Sequence, residues 1–317
     1  MDFLQVKDLY KRNGSRIAVD HVSFSMHAQQ ATAIAGETGS GKTSLLKMIG
    51  GLMQPDSGEV LFEGKRVEGP LERLIPGHEN IAYLSQHFEL RNNYWVYELL
   101  EMVSKLPEAE AAQICSVCQI EHLLQRRTNE LSGGEKQRIV LAMQLVKKPK
   151  LLLLDEPFSN LDAIHEQTIK DVIHDVSEQF QTSCIMVSHD GKDVLSWAGT
   201  IYIMQNGAII QSGTPHQIYY KPLNEYCAGL FGEYNLLPVN FFTATARAKQ
   251  KKIIIRPEQL RITTSKTNAV KATVTSVLFF GSYYMIEATA GKHGLKIKTT
   301  SNNVSKGDAV LVTSSVL

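Results

Sequence analysis

The sequence predicts an α/β domain built on a mainly parallel sheet and followed by a small all-β, OB-like barrel, on three observations. Short, continuous apolar runs ended by glycine or an acid, "ATAIAG" (31–36), "LLLLDEP" (151–157) and "CIMVSHD" (184–190), read as strands buried on both faces. Between the last two, Ile169, Val172, Ile173, Val176 and Phe180 recur at helical spacing with charges on the other face, and such alternation argues a parallel sheet covered by helices. From about residue 253 the pattern changes to period two, in "VKATVTSVLFF", "SYYMIEATA", "HGLKIKT" and "DAVLV", with Gly281, "GKHG" (291–294) and Gly307 between the runs.

The elements carry chemistry in chain order. "ATAIAG" runs into "GETGSGKTS" (36–44), and the helical run "SLLKMIGGL" follows. That is G-x-x-x-x-G-K-S/T in the strand-to-helix context the motif needs, a P-loop for a nucleoside triphosphate. Its glycines let successive backbone N–H groups wrap phosphate, Lys42 neutralises charge between the β- and γ-phosphates, and Thr43 offers a hydroxyl to Mg²⁺. Val96, Leu99, Leu100 and Val103 make the buried face of a later helix. "ELSGGEKQR" (130–138) enters another helix through a serine and two glycines, a second set of unpaired N–H groups fit for phosphate. Four leucines then drive a strand into the sheet core, and its C-terminal end, where ligands of such sheets bind, carries Asp155 and Glu156. Asp155 would hold Mg²⁺ through water, and Glu156 is placed to polarise a water for in-line attack on the γ-phosphate. His189, ending the next strand, could contact that phosphate or the water. Asn206-Gly207 in "MQNGAII" is a two-residue hairpin signal near the end of this domain. Periodicity lapses over 233–252, so a first domain is expected over 1–235, and a linker with the barrel over 236–317.

Composition excludes several classes. A net charge of +1 supplies no basic field, the runs "KKPK" and "KQKK" read as solvated surface, and no nucleic-acid partner is expected. The start, "MDFLQVKD", has no apolar leader core, and nothing approaches the ~18 uninterrupted apolar residues of a membrane span, which predicts a cytoplasmic chain that is not itself a channel. Four cysteines make no disulfide framework, and Cys115 and Cys118, a CxxC without a second pair, read as ordinary helix residues, with metal or redox chemistry as the alternative.

"GETGSGKT", Gln86 in "YLSQ", "LSGGEKQR", "LLLLDEP", "SNLD" (159–162) and "SHD" follow one another over about residues 3–230. The series resembles the ABC-type ATPases, whose Walker A, Q-loop, signature, Walker B, D-loop and switch histidine occur in this order. The resemblance implies ATP hydrolysis with ATP and Mg²⁺ as cofactors. It implies phosphate binding by Gly36, Glu37, Thr38, Gly39, Ser40, Gly41, Lys42, Thr43 and Ser44, with Mg²⁺ held by Thr43, Gln86 and Asp155. Glu156, His189 and Gln86 become the catalytic set, Asp162 belongs to the D-loop, and a helical subdomain is expected over about 88–135. Tyr10, 26 residues before Gly36, resembles the aromatic that stacks on adenine, with core packing as the alternative. The family also implies a homodimer arranged head to tail, in which Ser132, Gly133, Gly134 and Glu135 of one copy close over ATP held by the other.

The tail sharpens the class. "GTPHQIYYKPLNEYCAGLFGEYNLL" and "IIIRPEQLRIT" resemble the exit from the ATPase domain and the opening of the TOBE domain in importers of the maltose, polyamine and ferric-iron type. That implies transmembrane permease subunits as partners, an extracytoplasmic solute-binding protein in the complex, and a peripheral position on the cytoplasmic side of the membrane. An exporter or soluble ABC ATPase is the alternative; exporters usually lack such a barrel, and soluble relatives insert coiled coils or cysteine-rich modules absent here. The chain departs from the importers in two places. Gln29-Gln30 replace the usual Gly-Glu, and Arg91-Asn92-Asn93-Tyr94 stand where "LFPH" is common. Tyr94 and Trp95 either line the groove for the permease's coupling helix or pack inside a helical subdomain that looks trimmed.

Overall fold

The structure, a computed structural model, describes residues 3–86, 90–104, 106–159, 161, 163–242, 252–301 and 303–315. Asp162 lies outside the described residues. The chain divides into two compact units, Met1–Pro215 and His216–Leu317.

The first unit opens with β1 (Leu4–Asn13) and β2 (Arg16–Met26), then β3 (Ala31–Ala35), α1 (Lys42–Ile49), β4 (Ser57–Phe62), β5 (Lys65–Arg66) and β6 (Ile81–Leu84). Helices α2 (Val96–Val103), α3 (Glu108–Val117) and α4 (Gly133–Leu145) precede β7 (Leu151–Asp155). After them come α5 (Ala163–Gln179), β8 (Ser183–Ser188), α6 (Gly191–Trp197), β9 (Thr200–Gln205) and β10 (Ala208–Gly213). A four-stranded sheet has the order β2-β1-β4-β5, and a six-stranded sheet the order β10-β9-β3-β8-β7-β6. In the larger sheet every pair is parallel except the β9–β10 hairpin.

The leucine run in β7 shows why the sheet is buried on both faces. Leu151 and Leu153 join the core shared with α1 and the antiparallel sheet, while Leu152 and Leu154 join the core under α2, α3, α4 and α5. Alternation with apolar residues at every position is what a doubly covered strand requires. Asn206 and Gly207 both have positive φ, 50° and 86°, the backbone of a hairpin turn matched to strand twist. Gly207 N–H donates to Ser40 O at 3.0 Å, so the hairpin turn braces the loop after β3.

In the second unit, α7 (Pro215–Tyr220) and α8 (Glu225–Leu230) precede β11 (Asn235–Pro238) and β12 (Lys252–Ile255), an antiparallel pair. A five-stranded antiparallel sheet follows, from β13 (Leu260–Thr263), β14 (Ala269–Phe279), β15 (Tyr284–Ala290), β16 (His293–Thr299) and β17 (Ala309–Ser314), in the order β13-β17-β14-β15-β16. The end strands β13 and β16 lie against each other, which curls the sheet toward a barrel around Leu260, Val274, Ile286, Leu295, Ile297 and Val312. The unit begins at 216, upstream of the boundary near 236 expected from periodicity. Arg256 supplies the reason. Its buried guanidinium donates to the carbonyls of Tyr219, Ala228, Gly232 and Glu233 at 2.9–3.2 Å, tying the segment that precedes the β-pattern to the barrel. Helical periodicity cannot reveal that dependence, because the partners are backbone carbonyls.

All four cysteines are free and buried. Burial pushes the Cys115, Cys118, Cys184 and Cys227 thiols up, away from the reactive thiolate.

Candidate functional site: a nucleotide cleft and a remote helix terminus

In the order β3-β8-β7-β6 all strands run the same way, so the loops at their C-terminal ends stand side by side. These carry Gly36–Thr43, His189, Asp155 with Glu156, and Gln86 respectively. A cleft of about 640 Å³ opens there, lined among others by Thr38, Gly39, Gly41, Lys42, Thr43, Ser44, Gln86, Glu156 and His189.

Within the loop, Ser40 N–H donates to Glu37 O at 3.1 Å. Gly41, at a φ of 105°, is the N-cap of α1 and offers no side-chain cap, leaving the first-turn amides to other acceptors. A Cβ at Gly41 would meet Ala18 O at 1.9 Å, and one at Gly36 would meet Met204 O at 2.3 Å, so both positions require glycine. Lys42 is buried and donates from Nζ to Gly36 O (2.8 Å) and Glu37 O (2.9 Å). Burial lowers its pKa, opposed by Glu156, Asp155 and Glu37, an arrangement poised to receive phosphate oxygens in place of carbonyls. Ser40 is buried, while Glu37 is exposed.

Asp155 ends β7 with its carboxylate buried, accepting from Thr43 Oγ1 at 3.0 Å. At Glu156 the backbone turns to a φ of 48°, a left-handed conformation that costs a non-glycine residue about 1–3 kcal/mol. Its N–H donates to Val187 O of the neighbouring strand end at 3.0 Å. The turn brings the carboxylate to Gln86 Nε2 (3.4 Å) and His189 Nδ1 (3.1 Å), so three residues remote in sequence share one oxygen, Oε2. The Gln86 amide donates to Glu156.

Tyr10 sits on β1 against His21, ring centroids 5.2 Å apart, and the wall on that side is Asn13, Arg16 and Ala18. Arg16 donates a guanidinium N–H to Gly39 O, crossing the mouth of the loop. No motif marks Asn13 or Arg16, because the β1–β2 turn places them by register alone. Sequence reading also misses Tyr83, whose hydroxyl in the apolar strand "IAYL" is a readable signal, since a buried O–H needs a partner.

Ser132, Gly133, Gly134 and Glu135 form the other site. Ser132 N-caps α4, its Oγ accepting from Glu135 N–H at 3.3 Å while Glu135 Oε2 accepts from Ser132 N–H at 2.8 Å, a reciprocal capping box. Gly134 packs against His165 of α5, where a Cβ would come within 2.7 Å of the ring. Ser132 and Gly133 are exposed, and neither lines the cleft of their own Lys42. Trp95 is half-buried beneath the Arg127 guanidinium (4.7 Å), and Arg127 Nη1 also donates to Asn93 Oδ1 at 2.8 Å, so the divergent Arg91–Trp95 stretch is tied into the helical region.

A phosphate-cradling loop beside paired acids at the C-terminal edge of a parallel sheet defines the class: a P-loop nucleoside triphosphatase. Residues 19–159 match the ABC transporter family and residues 253–313 the TOBE domain. Spermidine/putrescine import ATP-binding protein PotA of Clostridioides difficile is 30% identical over 90% of this chain and 88% of its own. The Fe(3+) ions import ATP-binding protein FbpC of Escherichia coli O157:H7 is 27% identical over 93% and 89%. Sulfate/thiosulfate import ATP-binding protein CysA of Pectobacterium atrosepticum is 27% identical over 97% and 96%. Among solved structures, CbiO1 of Clostridium perfringens, part of the ABC transporter complex CbiONQ, superposes with a TM-score of 0.60 at 27% identity, over 68% of this chain and 90% of that one. The chain belongs to the ABC transporter ATP-binding proteins, in the importer-type group that carries a TOBE domain, and it is an ATPase.

Proposed function

We propose that two copies of this chain pair head to tail and that each completes the other's catalytic site, driving solute uptake through separate permease subunits. The observation that carries it is the position of Ser132 and Gly133, exposed at the start of α4 and outside the cleft that holds Lys42, Glu156 and His189. An exposed helix terminus suits the γ-phosphate of a nucleotide presented by a second copy.

Within each cleft, Lys42 and the loop amides bind the phosphates. Glu156 orients a water for attack on the γ-phosphorus, with His189 and Gln86 holding its carboxylate. Thr43 and Asp155 fit Mg²⁺: a hydroxyl and a carboxylate, both hard oxygen donors, 3.0 Å apart beside the phosphate loop, match a cation that takes one or two protein oxygens and completes its shell from phosphate and water. The chemistry such a cation supplies is charge neutralisation across the β- and γ-phosphates. ATP binds the closed pair more tightly than the open one, so binding closes it and hydrolysis reopens it. No described helix is long and apolar enough to cross a membrane, which agrees with peripheral attachment through the permease on the cytoplasmic side, a solute-binding protein serving the other face. The three importer relatives are named for a polyamine, ferric iron and sulfate or thiosulfate at nearly equal identity, which supports cargo choice by the partner subunits.

Mixing Lys42→Ala with Ser132→Ala subunits tests the pairing. Each is inactive alone; the mixed dimer holds one site with an intact Lys42 from one copy and an intact Ser132 from the other. ATPase activity returns on mixing, and no recovery at any ratio refutes the head-to-tail arrangement.

A further inference from the structure

Asp155 is 3% exposed, and both of its carboxylate oxygens are engaged. Oδ1 accepts from Thr43 Oγ1 at 3.0 Å, and Oδ2 accepts from the Tyr83 phenol at 2.6 Å. An O–H···O⁻ bond of that length is charge-assisted and among the stronger hydrogen bonds a protein makes. Tyr83 belongs to β6, where its neighbours Ile81, Ala82 and Leu84 are buried. The strand runs beside β7 in parallel register, Tyr83 opposite Leu153, so the phenol reaches forward to the end of the neighbouring strand. Three residues later the same chain segment supplies Gln86, whose amide donates to Glu156. The end of β6 thus grips both adjacent acids, one through a phenol and the other through an amide.

We infer that Tyr83 is a positioning residue for the metal-holding pair, Asp155 and Thr43. The terminal torsion of an aspartate is broad, with little intrinsic preference for one carboxylate orientation. A short bond to Oδ2 removes that freedom and leaves Oδ1 directed at Thr43. The Thr43 hydroxyl can donate its proton to Oδ1 and still offer a lone pair to a cation. The orientation of that lone pair therefore follows the orientation of the carboxylate, and the chain of influence runs Tyr83, Asp155, Thr43, cation. This rests on the reading of Thr43 and Asp155 as the Mg²⁺ residues.

Tyr83→Phe removes the phenol oxygen and keeps the ring that packs against the core. Three quantities are measured on the full chain: Mn²⁺ binding to the ADP-saturated protein by electron paramagnetic resonance, ADP affinity in EDTA, and the melting temperature in EDTA. A partner that orients a metal-holding group is worth about 10–100-fold in metal affinity, so the Mn²⁺ dissociation constant rises at least tenfold while both metal-free quantities hold. An unchanged Mn²⁺ affinity overturns the proposal. A parallel fall of metal-free ADP affinity or melting temperature also overturns it, since the phenol would then serve packing alone. A wild-type protein that holds no Mn²⁺ overturns the reading of Thr43 and Asp155 itself.

Discussion

Glu156→Gln tests the proposed role of this carboxylate in hydrolysis. The substitution keeps the shape of a side chain that is only 15% exposed and sits on a left-handed backbone turn, so the cleft retains its walls. What is lost is the negative oxygen, Oε2, that faces His189 at 3.1 Å and Gln86 at 3.4 Å. A positioned general base contributes about 10²–10⁴ in rate, or about 3–5.5 kcal/mol at 1.36 kcal/mol per tenfold. With the loop amides, Lys42 and Thr43 untouched, ATP affinity stays within about threefold, because tenfold would require 1.36 kcal/mol from groups that have not moved. Turnover followed by phosphate release falls about a thousandfold, and size-exclusion chromatography in ATP shows an accumulated dimer. His189→Ala alone costs less, and in the Glu156→Gln background it adds little, since the imidazole meets the same oxygen. Turnover within twofold of wild type would remove Glu156 from the mechanism. Additive losses in the double variant would separate His189 from it.

Two further outcomes concern stability. Arg256→Ala strips four carbonyl acceptors, those of Tyr219, Ala228, Gly232 and Glu233, of a buried charged donor, and is expected to destabilise the second unit by about 3 kcal/mol or more, while the first still binds ATP; denaturant unfolding with nucleotide binding followed in parallel checks this. The Asp56 carboxyl is held below the usual aspartate value by the Lys11 ammonium (2.7 Å) and Arg12 N–H (2.8 Å), so its contribution is present above the ordinary aspartate range and lost as pH falls through the lower folded-state value. Asp56→Asn flattens that acid limb in melting curves between about pH 5 and pH 2, and an unaltered limb refutes the assignment.

How far the sequence carried depended on whether a function needs a fixed run of residues or only a place in space. Loop wrapping requires glycines at set intervals before Lys42, and a buried parallel strand requires apolar residues on both faces before Asp155, so both were legible from 36–44 and 151–156. The hairpin at Asn206-Gly207 was legible because positive φ at two successive positions selects few residues. Strand register, which no local motif encodes, brings Asn13 and Arg16 to the cleft wall and sets Tyr10 against His21. Tyr83 announced itself only as a phenol among aliphatics, and its partner lay 72 residues away. The start of the second unit at 216 was hidden for a similar reason, because Arg256 binds carbonyls, which every residue has.

The buried cysteines have a practical corollary. Cys115, Cys118, Cys184 and Cys227 are all sequestered, with their thiols held in the slow-reacting neutral form. A cysteine introduced at exposed Gly133 would outpace all four toward maleimide or bismaleimide, so the native background can serve without first being stripped of sulfur. Paired with a second one at exposed Thr38, it becomes a molecular calliper for the proposed head-to-tail pair: in that arrangement the cross-link forms only when the lip of one copy's loop meets the α4 terminus of the other, and its yield with and without ATP counts closed assemblies directly.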